Sequence, residues 1–292
     1  MSRRIKNSPF IIIVFFCLLI SSCSLRHFVV GHLDWFAMRQ LDSYFDLTSE
    51  QYEAFDEKMK SHLRWFQKTK APMLTAELLV IERAKDPLSK EYLKSLFQEK
   101  LRGLYLDVVD HVAEDAARLF KQLDPEQLAH LEEKVMERSK KYSDLMDLNE
   151  KEYLEEYADL QEKSIDRMEN WVGSLSEAQK NKMDKLTFVA REQYREEGRI
   201  YVEIRKTFFV RLREKLARNA SIDEIKNFLQ GWAKNPDIGG DRYKVYREKR
   251  SERYLLVVSE LEKTITNEQR AHRREQIAKT ILDLKNLRAA QF

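Results

Sequence analysis

A five-residue pattern recurs four times along this chain and marks where four helices begin. It consists of an aliphatic residue, a capping residue, two variable positions and glutamine. The copies are Leu47-Thr48-Ser49-Glu50-Gln51, Leu123-Asp124-Pro125-Glu126-Gln127, Leu175-Ser176-Glu177-Ala178-Gln179 and Ile265-Thr266-Asn267-Glu268-Gln269. Thr48, Asp124, Ser176 and Thr266 carry the short oxygen-bearing side chains that accept a bond from an early helix N–H. Gln51, Gln127, Gln179 and Gln269 stand three residues on, where the side chain reaches back to the cap's own N–H, and the aliphatic residue can serve as a staple. Little downstream would stop a helix once begun. The chain holds 7 Gly and 5 Pro, where average usage would place roughly 35 of the two together. The expected fold is therefore all-α, an elongated or cradle-like bundle of long helices.

The second and fourth boxes continue alike, with Ala129-His130 matched by Ala271-His272. This points to two related halves, 32–172 and 173–292, with the loop 235–240 holding part of the second half's excess length. Along the chain the apolar spacing predicts a helix over 32–45 and another from Thr48. Pro72 breaks or kinks that helix, or opens a new one as a first-turn proline. Pro87-Leu88-Ser89 reads as a turn with Ser89 capping a helix to about Lys121. A long pattern covers 125–172, with a register shift near Asn149 where Asn149 and Glu152 would form a fresh box. Gly173 is expected as a left-handed cap. Further helices are expected over 177–218, 222–234, 241–263 and 267–288.

Residues 1–22 read as a signal peptide: basic Arg3, Arg4 and Lys6, an apolar run from Pro9 to Ile20, then small Ser21 and Ser22. The run is well short of the roughly 20 residues a spanning helix needs. Ile20-Ser21-Ser22-Cys23 resembles the bacterial lipobox. That resemblance implies cleavage before Cys23 and fatty acylation of Cys23, including palmitate, where several acyl chains hold what one chain holds only marginally. Cys17 leaves with the signal, so the mature chain keeps no free thiol and no disulfide. By the same resemblance, Ser24 in place of Asp implies the outer membrane, facing the periplasm. The tether 23–31 reaches about 30 Å when extended, which holds the body close to its membrane. Losing Arg3, Arg4 and Lys6 takes the formal net charge of +3 to about zero, so a nucleic-acid partner is not expected.

Chemistry-bearing motifs are sparse. Asp107, His111 and Asp115 share one helical face, with Asp110 and Glu114 beside them. Without the Glu-x-x-His pattern of di-iron bundles, the face reads as an exposed acidic one rather than a metal site. His130 and His272 follow from repeat descent. No nucleophile elbow, zinc helix, phosphate loop or dinucleotide fingerprint occurs, so neither an enzyme nor a cofactor is expected. Two basic, aromatic stretches, 205–213 and 242–250, stand out. Arg205, Lys206, Arg211, Arg213, Arg242, Lys244 and Arg247 make a candidate surface for acidic clients, lipopolysaccharide or phospholipid headgroups. The plainer alternative is a core aromatic row under a solvated charged face.

The Leu-Thr-x-x-Gln type of box resembles the Spy and CpxP family of periplasmic proteins. That likeness implies an ATP-independent chaperone cradle, here built from one duplicated chain. Asp34-Trp35 with Leu41-Asp42-x-Tyr44-Phe45-Asp46-Leu47-x-x-x-Gln51, and Trp171-x-Gly173-x-Leu175-x-x-x-Gln179 further on, are similar to an uncharacterised proteobacterial lipoprotein family (domain of unknown function 6279). The functional expectation is a non-enzymatic envelope binding protein, with a Spy-like chaperone for unfolded envelope proteins leading. An adaptor for one envelope partner and a lipid or lipopolysaccharide handler are the alternatives.

Overall fold

The computed structural model describes residues 33–188 and 191–289. The expected signal peptide 1–22, Cys23 and the expected tether 23–31 lie outside them. Every described regular element is helical. They are α1 (Leu33–Phe45), α2 (Ser49–Trp65), α3 (Ala71–Arg83), α4 (Lys90–Ser95), α5 (Leu101–Gln122), α6 (Pro125–Asp147), α7 (Glu150–Val172), α8 (Glu177–Phe188), α9 (Arg191–Ala217), α10 (Ile222–Lys234), α11 (Arg242–Glu262) and α12 (Asn267–Ala289).

Local capping chemistry accounts for most of the starts. Ser89 Oγ accepts from the Tyr92 N–H at 3.1 Å. Asn149 and Glu152 close the box expected of them and divide α6 from α7. Ser221 and Glu224 close another, which the sequence reading had not singled out. Of the readings open at Pro72, the first-turn place is the one observed: it stands second in α3, which α2 enters through a π turn at Phe66–Lys70 with no side-chain cap between them. There Ala71 donates to the Phe66 carbonyl, and the wider turn makes room for a proline ring and its missing donor. The extra residue also rotates the following face by about 100°, turning Ala71 and Leu74 toward α12. A second π turn, Leu96–Lys100, joins α4 to α5. Gly173 does take a positive φ of 83°, but its ψ of 179° is extended rather than left-handed helical.

The packing is reciprocal. Helices α4–α5 run antiparallel to α10–α11 along their length. Lys121 reaches the Ala220 carbonyl (2.9 Å), Arg102 the Lys234 carbonyl (2.9 Å), Gln98 the Ser251 hydroxyl (2.9 Å), and Glu262 accepts from the Leu88 N–H (3.1 Å). Helix α6 lies against α9, with Leu128 and Leu131 packed near Phe209 and Leu212. Helix α12 lies against α3, with Leu284 and Leu287 near Ala71 and Leu74. The helix after the second box of each half thus packs on the stretch that follows the first box of the other half. Several apolar clusters are strung along the bundle instead of one central core. One is formed by Val172, Leu175, Met183, Val257, Leu261 and Ile265, and another by Leu145, Tyr153 and Tyr157.

Candidate functional site

The four boxes come together in pairs. Gln51 Oε1 accepts from the Thr48 N–H (3.0 Å), and Gln127 Oε1 from the Asp124 N–H (3.2 Å). The two amides then face one another. Gln51 Nε2 donates to Gln127 Oε1 (3.3 Å) and to the Gln122 carbonyl (3.1 Å), while Gln127 Nε2 donates to Gln51 Oε1 (2.7 Å) and to the Asp46 carbonyl (2.7 Å). The third and fourth boxes repeat the arrangement. Gln179 and Gln269 exchange amide bonds of 3.0 Å and donate to the Thr264 and Ser174 carbonyls at 3.0 and 2.7 Å. Even the histidines correspond: His130 Nε2 sits 3.4 Å from the Ser43 carbonyl, and His272 Nε2 3.2 Å from that of Asn170. These bonds repeat one pattern about α1 and α7, the helices that precede the first and third boxes.

Glutamine is needed because each side-chain amide accepts two bonds and donates two, which uses its full capacity. Glutamate could not donate. The boxes that close without a partner box, at Asn149 and Ser221, indeed carry Glu152 and Glu224 at that position. With every donor and acceptor committed, the glutamines have nothing to offer a ligand. Thr48, Asp124, Ser176 and Thr266 hold helix starts.

The basic candidates separate into two groups. Arg211 pairs with Asp237 (2.8 Å), Arg213 with Glu132, and Arg242 with Glu203 (2.7 Å), so three of the seven cations are already neutralised. Lys206 and Lys244 are exposed and Arg247 is half-buried. Arg205 is different. Its guanidinium lies 3.3 Å over the Tyr201 ring and donates to the Tyr201 carbonyl at 3.2 Å. Burial pulls it below the usual arginine range. Around it stand Tyr142 and, from the second basic stretch, Tyr246 and Arg250, none of them among the seven candidates. The Tyr142 ring is 4.2 Å from that of Tyr201, and Arg250 donates to the Tyr246 hydroxyl at 2.8 Å. Within the first basic stretch, Phe209 is core, and Phe208 packs against Phe228 and Trp232.

The acidic face on α5 does not converge on a common point. Lys70 pairs with Asp107 (2.5 Å), Lys234 lies 3.7 Å from Asp110, and Arg118 pairs with Glu114 (2.7 Å). Asp115 takes both Lys58 (3.3 Å) and His62 (3.2 Å). His111 stacks on Trp65 at 3.7 Å and meets His62 edge-on at 5.1 Å. Burial pushes both histidines below their ordinary pKa, and for each the Asp115 carboxylate opposes the shift. Among the described residues, no group of three or more His, Cys, Asp or Glu side chains is placed to hold a metal ion.

One cleft among the described residues is open to solvent and about 450 Å³. It is lined by Asp166, Glu169, Asn170, Gly173, Ser174 and His272. A second, near Met183 and Val257, is about 10 Å³, too small for a lipid chain. No described helix is long and apolar enough to cross a membrane. A family model described as a family of unknown function (DUF6279) matches residues 43–221, more than half of the chain. No curated protein and no solved structure matches it.

Proposed function

We propose, for a chain that belongs to the family of unknown function DUF6279, a non-enzymatic binding role in the bacterial cell envelope: holding unfolded client proteins without ATP. The carrying observation is the character of the long-helix surface. Met73, Val80, Val210, Val245, Leu256 and Leu282 are large apolar side chains that stand exposed among mixed charges. Such a surface offers many weak apolar contacts and charges of both signs, which suits partners of varied sequence. In this reading the paired boxes keep the scaffold rigid while its outer faces do the binding, and lipids on Cys23 keep it at the outer membrane.

The test is aggregation of a chemically unfolded model client in the presence of the purified protein and no nucleotide. Suppression rising with protein concentration supports the reading, and no suppression at several-fold excess removes it. An adaptor for one envelope protein is separated by crosslinking in cells: one dominant adduct favours the adaptor, a broad smear the client holder. A lipid-carrying role asks for an enclosed apolar cavity, and neither cleft described above supplies one.

A further inference from the structure

We infer that Arg205 and Arg250, together with Tyr142, Tyr201 and Tyr246, form a binding site for a phosphate group. The residues come from three helices, α6, α9 and α11, which meet where the two halves exchange partners. Arg205 lies flat on Tyr201 (3.3 Å), Tyr142 packs against Tyr201 (4.2 Å between ring centres), and Arg250 is bonded to the Tyr246 hydroxyl (2.8 Å). Tyr201 feels the charge of both arginines and the neighbourhood of both other tyrosines, so the five groups share one locality.

On α9 and α11 several arginines are already neutralised by acids. Arg211, Arg213, Arg242 and Arg253 each have a carboxylate partner. Among the described residues, neither Arg205 nor Arg250 has one. The carboxylate that acts on Arg250 is Glu197, and both its oxygens are taken by Arg253, at 2.5 and 2.7 Å. A half-buried guanidinium without an anion is a desolvation cost the fold leaves standing. Burial pushes the Tyr201 hydroxyl above the ordinary phenol range, so it stays protonated and able to donate. The locality therefore presents two fixed positive charges and the Tyr201 O–H, and its one acting carboxylate, Glu197, is already held by Arg253. Carboxylate, with one charge and two oxygens, would satisfy half of it. A phosphate dianion matches both charges and has oxygens for both guanidinium forks. Arg250 is exposed, which leaves the site reachable from solvent.

Free phosphate and the phosphomonoester headgroup of a lipid share this chemistry. The intact chain is titrated with inorganic phosphate by calorimetry, at constant ionic strength against chloride, and mixed in parallel with phosphatidylcholine vesicles with and without phosphatidic acid. Saturable phosphate binding is expected. Arg205→Gln and Arg250→Gln should each weaken it about tenfold, as loss of a charge-assisted bond does, while Arg242→Gln, whose charge is already spent on Glu203, should stay within about twofold. Tyr201→Phe keeps the ring under Arg205 and removes only a donor. It should weaken phosphate several-fold at an unchanged melting midpoint, and it decides the matter if Arg205→Gln fails to fold. Sedimentation with phosphatidic acid vesicles, reversed by phosphate, assigns the lipid source; phosphate binding without it assigns the free ion. No saturable binding, or an equal loss in Arg242→Gln, overturns the inference. Phosphate binding is independent of client holding, so either result stands without the other.

Discussion

Replacing Gln127 by alanine tests the paired boxes most directly. The side chain is 6% exposed and makes four hydrogen bonds, to the Asp124 N–H, the Asp46 carbonyl and, in both directions, the Gln51 amide. A net hydrogen bond is worth about 1 kcal/mol, and a buried group left without a partner costs about 1–3 kcal/mol. Alanine orphans the Asp46 carbonyl and strands half of the Gln51 amide, so a loss of about 3 kcal/mol is expected. Glu224→Ala is the internal control. It opens a box of the same local geometry but on an exposed helix start with no second box across from it, and should lower the midpoint clearly less than Gln127→Ala does. Gln127→Glu sharpens the comparison. Its carboxylate still accepts from Asp124 but cannot donate to Asp46 and meets Gln51 Oε1, so it should be no more stable than the alanine variant. Urea unfolding followed by far-ultraviolet circular dichroism reads the difference as a lower midpoint at unchanged slope. If Gln127→Ala costs no more than Glu224→Ala, or if Gln127→Glu restores the midpoint, the pairing does not hold the fold as argued.

Glu262 and Arg273 form an ion pair whose side chains are 6% and 7% exposed; Glu262→Gln leaves a buried guanidinium without its counter-charge and should cost about 3–5 kcal/mol, seen as a melting midpoint lower by roughly 10 °C. His62, wedged among Lys58, His111 and Asp115, is held below its ordinary pKa of 6.5 by burial. The unfolded chain then binds more protons than the folded one below pH 6.5, so stability is full above that value and is lost as the pH falls from it through the folded-state pKa. His62→Gln should flatten the fall between urea midpoints measured at pH 7 and pH 5. Gly173 combines a φ of 83° with a ψ of 179°, and an added Cβ would sit 3.3 Å from the His272 ring. Gly173→Ala should therefore destabilise by about 2 kcal/mol or more. Gly103→Ala, in mid-helix with nothing within 4 Å of the new Cβ, should instead stabilise by about 0.5–1 kcal/mol, both measured by the same denaturation.

Much of the local architecture could be read from the chain. The starts of α2, α6, α8 and α12, the break at Asn149 and the cap at Ser89 follow from side chains that bond to backbone within three residues, and such bonds are written in consecutive letters. Pro72 shows the limit of that kind of reading. A proline in a helical pattern leaves an end, a kink or a new start open, and only the structure shows the chain carried into α3 on a π turn, with Ala71 and Leu74 packed beside α12. The use of Gln in four boxes and Glu in two also held a signal, since only the amide can pair with a second box, but its meaning emerged only with the geometry.

Helix positions and helix content thus came from residues a turn apart, where capping and periodicity act alone. Which box meets which depends on groups separated by some 71–95 positions in the chain, and the crossing of α12 to α3 on groups farther apart still, 192 positions for Arg274 and Glu82. Four near-identical boxes give no preference among partners; the choice falls to the packing of whole helices. The same holds for charge. Arg211, Arg213 and Arg242 looked alike to Arg205 along the chain, and it took Asp237, Glu132 and Glu203, brought in from other helices and loops, to neutralise three of them and leave the fourth against its tyrosines.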